Sequence, residues 1–244
     1  MIPKIIHYCW FGGNPLPDDA KKCIESWKRY LPDYEIKEWN EQNFDVNNIP
    51  YTAQAYAAGK YAFVSDYARF KVLYEQGGLY FDTDVEVIKP FDDIIQRGAF
   101  MGCELSAPRS GAVNPGLGLG VAPGLGLYKE IIDKYATLSF LKDDGSLNLT
   151  TVVKYTTDIL ISHGLKASNE IQTIAGVNIY PKEYFNPLND NTGKLEITPL
   201  THSIHWYSKT WMNVSPWRIR ISRLAHRYLG YSLSKTLRKT FRIK

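Results

Sequence analysis

The spacing of apolar residues changes along this chain, and each change marks an element. Residues 4–10 (KIIHYCW) form a short apolar run ahead of Gly12-Gly13 and read as a strand. Residues 18–30 follow with helical spacing, with Pro17 just before them and Ile24 and Trp27 on one face. Residues 34–39 (YEIKEW) alternate and read as a second strand, so the chain opens β-α-β, the start of a nucleotide-binding sheet. Residues 60–76 hold no Pro or Gly. There Phe63, Tyr67, Phe70 and Tyr74 recur at three- and four-residue steps, the spacing of one buried helix face. Gly77-Gly78 predicts a left-handed residue that ends this helix. Residues 79–81 are then a short strand, and Val85, Val87 and Ile88 resume a strand pattern beyond Asp82-Thr83-Asp84.

Downstream, residues 47–58 are mixed and accommodate a short helix, and residues 100–103 read as a strand. The glycine-rich stretch 114–127 (NPGLGLGVAPGLGL) contains neither GxGxxG nor GKS/T, which excludes a dinucleotide fingerprint or a P-loop there. Its residues 117–121 read as a strand whose glycines allow close backbone approach. Helices are expected over 125–135 and 150–163, and a hairpin over 171–174 and 177–180 around Gly176. Strands interleaved with helices give an α/β fold class.

Composition narrows the picture. At 244 residues the chain is long enough for one sizeable α/β domain, and 44% hydrophobic with 22% charged residues is ordinary for a globular protein. Its 17 Tyr and 6 Trp suit stacking on sugars and bases, though they serve equally as core material. Cys9, Cys23 and Cys103 show no metal spacing. With an odd cysteine count and no signal-like start, the expectation is a reducing cytosol. No apolar run approaches the ~20 residues needed to span a bilayer.

Charge is unevenly placed. Residues 209–244 carry ten Lys/Arg and no acid, whereas the first 208 carry 19 basic and 25 acidic groups. We therefore divide the chain into a catalytic domain, 1–215, and a basic tail, 216–244. At helical spacing Trp217, Ile221, Leu224, Ala225 and Tyr228 share one side of the tail, and Arg220, Arg223 and Arg227 another. A second segment sets Leu233, Leu237 and Phe241 against Lys235, Arg238, Lys239 and Arg242. The expectation is docking on an anionic membrane surface, against the alternatives of a helix packed on the domain or a disordered basic end. Nucleic acid is not expected as a partner, because the tail is the only basic region.

Candidate chemistry centres on Asp82 and Asp84. Two acids at i and i+2 point to opposite faces of an extended strand, so a tight turn is needed for both to meet one ligand. Hard divalent cations such as Mg2+ or Mn2+ suit such a pair; the plain alternative is two solvated acids. Asp66 and Arg69 lie three apart on the preceding helix, as an ordinary surface ion pair would. The whole string SDxxRxxxLxxxGGxYxDxD, from Ser65 to Asp84, resembles the core of glycosyltransferase family 32. The large clostridial glucosylating toxins share a related pattern.

That resemblance implies a GT-A fold and a retaining transferase using a nucleotide-sugar and Mn2+ or Mg2+. It assigns Asp84 to the metal, Asp82 and Arg69 to the donor sugar or phosphate, Asp66 to ribose or sugar hydroxyls, and Tyr80 to the donor pocket. Asp82, Asp84 and Arg69 are thus the expected catalytic residues. The start IPKIIHxxW also fits, which would stack Trp10 on the donor base; a core Trp is the alternative. His7 reads as a packed strand histidine. Asn114 lies where the family places a donor-sugar contact. Residues 201–211 (THSIHWYSKTW) resemble its closing HxWxxSW element, with Lys209 and Thr210 departing from the pattern. His205 is the candidate third metal ligand, His202 its competitor and Ser208 a further ligand; the toxins place an acid and a serine there. Trp206 or Trp211 would cover the donor.

The expected donor is a UDP-sugar ahead of a GDP-sugar, and the acceptor a glycan or lipid-linked oligosaccharide of cell-surface polysaccharide synthesis. The expected place is the cytoplasmic face of the plasma membrane. Two other classes stay open. One is a DxD metal-dependent phosphohydrolase, although DTDVE lacks the DxDGT form; the other is a non-catalytic membrane-associated protein that binds glycan or nucleotide-sugar.

Overall fold

A computed structural model of the chain describes residues 1–105 and 113–208. The elements run β1 (Ile5–Cys9), α1 (Asp18–Tyr30), β2 (Glu35–Trp39), α2 (Pro50–Ala57), α3 (Tyr61–Gln76), β3 (Gly78–Tyr80) and β4 (Val85–Val87). Then come α4 (Asp92–Ile95), β5 (Phe100–Gly102), β6 (Leu119–Val121), α5 (Gly126–Ala136) and α6 (Val152–Ser162). β7 (Gln172–Ile174), β8 (Val177–Tyr180), α7 (Lys182–Phe185) and β9 (Ser203–His205) complete the described chain. Each element read from the sequence within the described residues is present, with ends shifted by a few residues.

Seven strands form one mixed sheet in the order β2-β1-β3-β6-β5-β8-β7. β1 runs parallel to β2 and β3, and β5 parallel to β8; the β3–β6, β5–β6 and β7–β8 pairs are antiparallel. The glycines of β6 serve close packing: a Cβ on Gly120 would run into the Phe100 ring. A second sheet has only β4 and β9, antiparallel, with Val85 opposite His205. This small sheet brings the segment after Asp84 beside the far end of the described chain.

Two apolar cores flank the main sheet. Phe63, Phe70, Leu73, Tyr128, Ile131 and Leu160 belong to one, where α2, α3, α5 and α6 pack. Trp27, Phe81, Phe91, Phe100 and Phe185 belong to the other, around α1, α4 and α7. Phe63, Tyr67 and Phe70 of the expected apolar face of α3 are buried and Tyr74 is half-buried, but Val64, Asp66, Ala68, Arg69 and Val72 are buried too. A helix buried on most sides exceeds a one-face pattern. Full burial of a side chain such as Phe70 or Leu73 stabilises the fold by about 1.5–3 kcal/mol.

α3 ends differently from the expectation. Gly77 has φ 64° but ψ −166°, outside the left-handed helical well, and Gly78 follows at φ 106°. A Cβ on Gly78 would lie 2.6 Å from the Ile5 carbonyl oxygen. Both glycines are needed because the chain swings directly from the helix into a strand beside β1. His7 fastens this corner. Its Nδ1 accepts from Trp39 Nε1 at 3.0 Å and its Nε2 donates to Gly77 O at 2.9 Å.

α1 carries β4 into place. Trp27 Nε1 donates to Val85 O at 2.7 Å, and Val87 N donates to Ser26 Oγ at 2.9 Å. Among the described residues, no helix is long and apolar enough to cross a membrane.

Candidate metal and donor site

The strand β3 delivers Tyr80 and then Asp82 to the edge of the main sheet. A turn closes at once, with Val85 N donating to Asp82 O at 3.0 Å. This is the tight turn the DxD spacing requires. Asp82, Asp84 and His205 each offer a ligand atom, and these atoms all lie within 4.8 Å of one another.

Asp82 is oriented from one side. Its Oδ1 accepts from Tyr80 Oη at 3.0 Å and stands 3.1 Å from Arg69 Nη1. The N–H of Nη1 is off-axis, so this contact is an ion pair without hydrogen-bond geometry. On the other side, a Cβ on Gly116 would lie 2.2 Å from Asp82 Oδ2. Position 116 thus leaves room for that oxygen because it carries no side chain. Asn114 shapes the same wall: its Oδ1 accepts from Gly116 N at 2.7 Å and its Nδ2 donates to Glu104 Oε2 at 3.0 Å.

Arg69 is 4% exposed and is shared by two carboxylates. Its Nη2 donates to Asp66 Oδ1 at 2.9 Å, its Nε to Ser65 O at 3.1 Å, and its guanidinium lies over the Tyr80 ring at 4.8 Å. The sequence spacing alone permits a solvated i,i+3 pair; burial removes that alternative. Burial pushes the Asp66 carboxyl up, to about 7, and the Arg69 charge and the Val152 N–H offset only part of this. Thr151 gives α6 no side-chain cap, so Asp66 supplies an anionic acceptor at that helix start from a different element.

Asp84 is held from the opposite side by the far segment. His205 Nε2 lies 3.1 Å from Asp84 Oδ1, while Ser208 N and Oγ donate to Oδ2 at 2.8 and 3.0 Å. Trp206 N donates to Asp84 O at 2.9 Å. Burial by itself would raise the Asp84 carboxyl, but His205 and the two Ser208 donors outweigh it and hold the group well below the usual carboxylate range. Burial opposes charge on His205, and Asp84 overrides it and raises the imidazole.

One cleft of about 370 Å³ gathers these groups. Trp10, Asp66, Arg69, Tyr80, Asp82, Asp84, Asn114, His205 and Ser208 all line it, so all the expected site residues within the described chain come together. Trp10 Nε1 donates to Asn14 O at 2.6 Å. Trp211 and the tail 216–244 lie outside the described residues. His205 faces Asp84, whereas His202 packs on Phe91 and Tyr184, with Nδ1 2.8 Å from Pro90 O, and does not line the cleft. Trp206 is also corrected. It does not line the cleft, and its indole N–H bonds Glu86 Oε2 at 2.9 Å.

Sequence reasoning missed Glu104, Asn186, Tyr207 and the start of α6. Glu104 adjoins His205 electrostatically, and burial raises its carboxyl although the Asn114 amide opposes this. Tyr207 lines the cleft and adopts φ 51°, left-handed backbone that costs a residue with a Cβ about 1–2 kcal/mol. Nothing in the spacing of these residues signals their roles, because each acts through a neighbour distant in sequence.

The donor set fits a divalent ion. Two carboxylates, an imidazole and a hydroxyl suit Mn2+ better than Mg2+, which favours all-oxygen sets.

Residues 17–101 match the family described as "Glycosyltransferase sugar-binding region containing DXD motif". The string from Ser65 to Asp84 falls inside that span; Trp10, Asn114, His205 and Ser208 fall outside it. An uncharacterized glycosyltransferase of Acanthamoeba polyphaga mimivirus is 32% identical over 106 residues, covering 41% of this chain and 42% of that protein. Inositol phosphoceramide mannosyltransferase 3 of Schizosaccharomyces pombe is 31% identical over 108 residues, covering 41% of this chain and 29% of that protein. The match therefore spans less than half the length of either relative. Among solved structures, the PaToxG glycosyltransferase aligns with TM-score 0.49 and 21% identity over 66% of this chain and 68% of that one. A galactosyltransferase bound to donor and acceptor sugar analogs aligns with TM-score 0.45 and 16% identity over 95% of each chain.

Proposed function

We propose that this chain is a GT-A glycosyltransferase domain that takes a sugar from a nucleotide-sugar and transfers it, with retention of configuration, to a glycan or lipid-linked acceptor. One observation carries the reading. Arg69 with Asp82 and His205 with Ser208 and Asp84 converge on one cleft from segments more than a hundred residues apart. A surface DxD needs no such convergence.

A bound Mn2+ or Mg2+, held by Asp82, Asp84, His205 and Ser208, would balance the negative charge of a diphosphate leaving group. The protein's own groups do the rest. Arg69 and Tyr80 fix Asp82 Oδ1, leaving Oδ2 for ligand. Asp66, Asn114 and Tyr80 offer acceptors and donors for sugar hydroxyls, and Trp10 offers a flat surface for the base. Asp66, Asp82 and Asp84 are the carboxylates lining the cleft, and each already has a partner. We therefore read the transfer as front-face displacement without a covalent enzyme intermediate.

UDP-sugars are the first donors to test and GDP-sugars the second. Because the yeast relatives are mannosyltransferases, mannose is among the sugars to include. A role in cell-surface polysaccharide or glycolipid synthesis at the inner membrane face, with residues 216–244 as the surface contact, belongs to the same proposal. The test is donor hydrolysis and transfer by the full chain across both nucleotide series, with Mn2+, with Mg2+ and with chelator. Metal-dependent release of nucleoside diphosphate is the expected result. Phosphate-ester hydrolysis without sugar transfer would overturn the reading.

A further inference from the structure

The segment that completes the site is pinned on two sides. β4 holds one side through the strand ladder. Along the other lies α7, whose contacts belong to no motif. Thr201 Oγ1 donates to Glu183 O at 2.8 Å and His202 N to Tyr184 O at 2.8 Å. Asn186, which follows α7 and is 2% exposed, sends its Nδ2 to Tyr207 Oη at 2.8 Å and to Glu104 O at 3.1 Å.

Tyr207 sits between the two ligand-bearing residues. At φ 51° its backbone is left-handed just after β9, and Ser208 N and Oγ reach the same carboxylate as His205 Nε2. Its ring meets the His205 imidazole edge-on with centroids 4.2 Å apart. A metal-binding histidine ordinarily has its second ring nitrogen held by a hydrogen bond. Among the described residues, His205 Nδ1 is buried and has no such partner. The Nδ1 side of this imidazole therefore has no hydrogen bond to hold it, and the ring is oriented by Asp84 at Nε2 and by the Tyr207 ring.

We propose that Asn186 and Tyr207 are positioning residues: the Asn186–Tyr207 hydrogen bond latches the left-handed backbone at Tyr207, and that backbone sets both His205 and Ser208 on Asp84. The hydrogen bond acts on the ligand-bearing residues through Tyr207, whose ring contacts the His205 imidazole. For its effect on metal affinity, the inference rests on the metal reading above. Its effect on local order does not.

The experiment uses the full chain with Tyr207→Phe, which removes one oxygen and keeps the ring, and with Asn186→Ala as the second variant. Hydrogen exchange at the Trp206 and Ser208 amides, without metal, reads the latch directly, because those N–H groups bond Asp84. Mn2+ affinity, by electron paramagnetic resonance of free ion, reads its consequence. In Tyr207→Phe the two amides are expected to exchange about ten-fold faster and Mn2+ to bind about ten-fold more weakly, at an unchanged global melting temperature. Unchanged exchange in Tyr207→Phe overturns the latch. So does a loss of protection spread evenly over the whole fold in both variants, which marks a merely structural role. If the parent protein takes up no Mn2+ while the amides respond as stated, the latch stands and the metal reading falls.

Discussion

The α3–β3 region and the 203–208 segment each hold one aspartate of the pair, and they do so by different means. In the first, Asp66, Arg69, Tyr80 and Asp82 come from neighbouring stretches of chain, and Arg69 is nearly sealed from water. Its charges are fixed by burial between two packed cores. In the second, Asp84 is held by partners up to 124 residues away through a three-residue strand and a left-handed Tyr207. The first region is a rigid foundation whose loss damages the fold. The second is a clamp whose loss damages the site.

The largest effect should come from breaking the foundation. Arg69→Ala leaves the buried Asp66 and the half-buried Asp82 without their cation, and removing one partner of a buried pair costs about 3–5 kcal/mol. Denaturant unfolding should show that loss, together with lost activity. This revises the simpler expectation of a kinetic defect alone, since the sequence does not reveal how deeply the pair is buried. Asp84→Asn should strike the site hardest. Its amide keeps the shape but loses the charge facing His205 and turns an NH2 toward the His205 or Ser208 donors, so transfer should fall about 10³-fold, equivalent to ~4 kcal/mol, with a lowered melting temperature as well. Full activity of Asp84→Asn, measured by donor turnover, would remove the clamp from the mechanism.

How far these two regions could be read from the sequence differs in the same way. The spacing of Phe63, Tyr67, Phe70 and Tyr74 gives α3, and the string through Asp84 gives the acids, because helix period and local motif are properties of neighbouring residues. The antiparallel insertion of β6 between β3 and β5 is not a local property, and neither is the pairing of β4 with β9. His205 and His202 are equivalent by spacing from the acids, and only strand register separates them. Glu104, Asn186 and Tyr207 are invisible to motif reading because a buried amide or a positive φ at Tyr leaves no pattern in composition.

Acid sharpens the comparison further. Burial holds His7 down to about 4, and its Nδ1 can accept from Trp39 only while unprotonated; the nearby Lys37 charge adds to the depression. The unfolded chain takes up this proton near pH 6.5 and the folded chain only near 4. The His7 contribution is thus complete above pH 6.5 and is lost as pH falls toward 4, by up to about 3 kcal/mol. Urea midpoints between pH 7 and pH 4 should fall in the parent and fall less in His7→Gln. The smallest effect belongs to Ser208→Ala. It deletes one of two Ser208 donors to Asp84 and keeps the backbone one, so Mn2+ affinity should weaken about ten-fold or less, ~1.4 kcal/mol, with urea midpoints unchanged.

The β4–β9 ladder also has a consequence in time. A ribosome extends a chain at about 5–20 residues per second, so the 124 residues between Asp84 and Ser208 take roughly 6–25 s to appear. Asp66, Arg69 and Asp82 can meet soon after they emerge. Asp84 must wait, with its carboxylate still hydrated, until nearly the whole described chain has been made. The nascent protein therefore passes through an interval in which its sheet can form while its clamp cannot, and the cluster of Asp82, Asp84 and His205 is complete only once synthesis has passed Ser208.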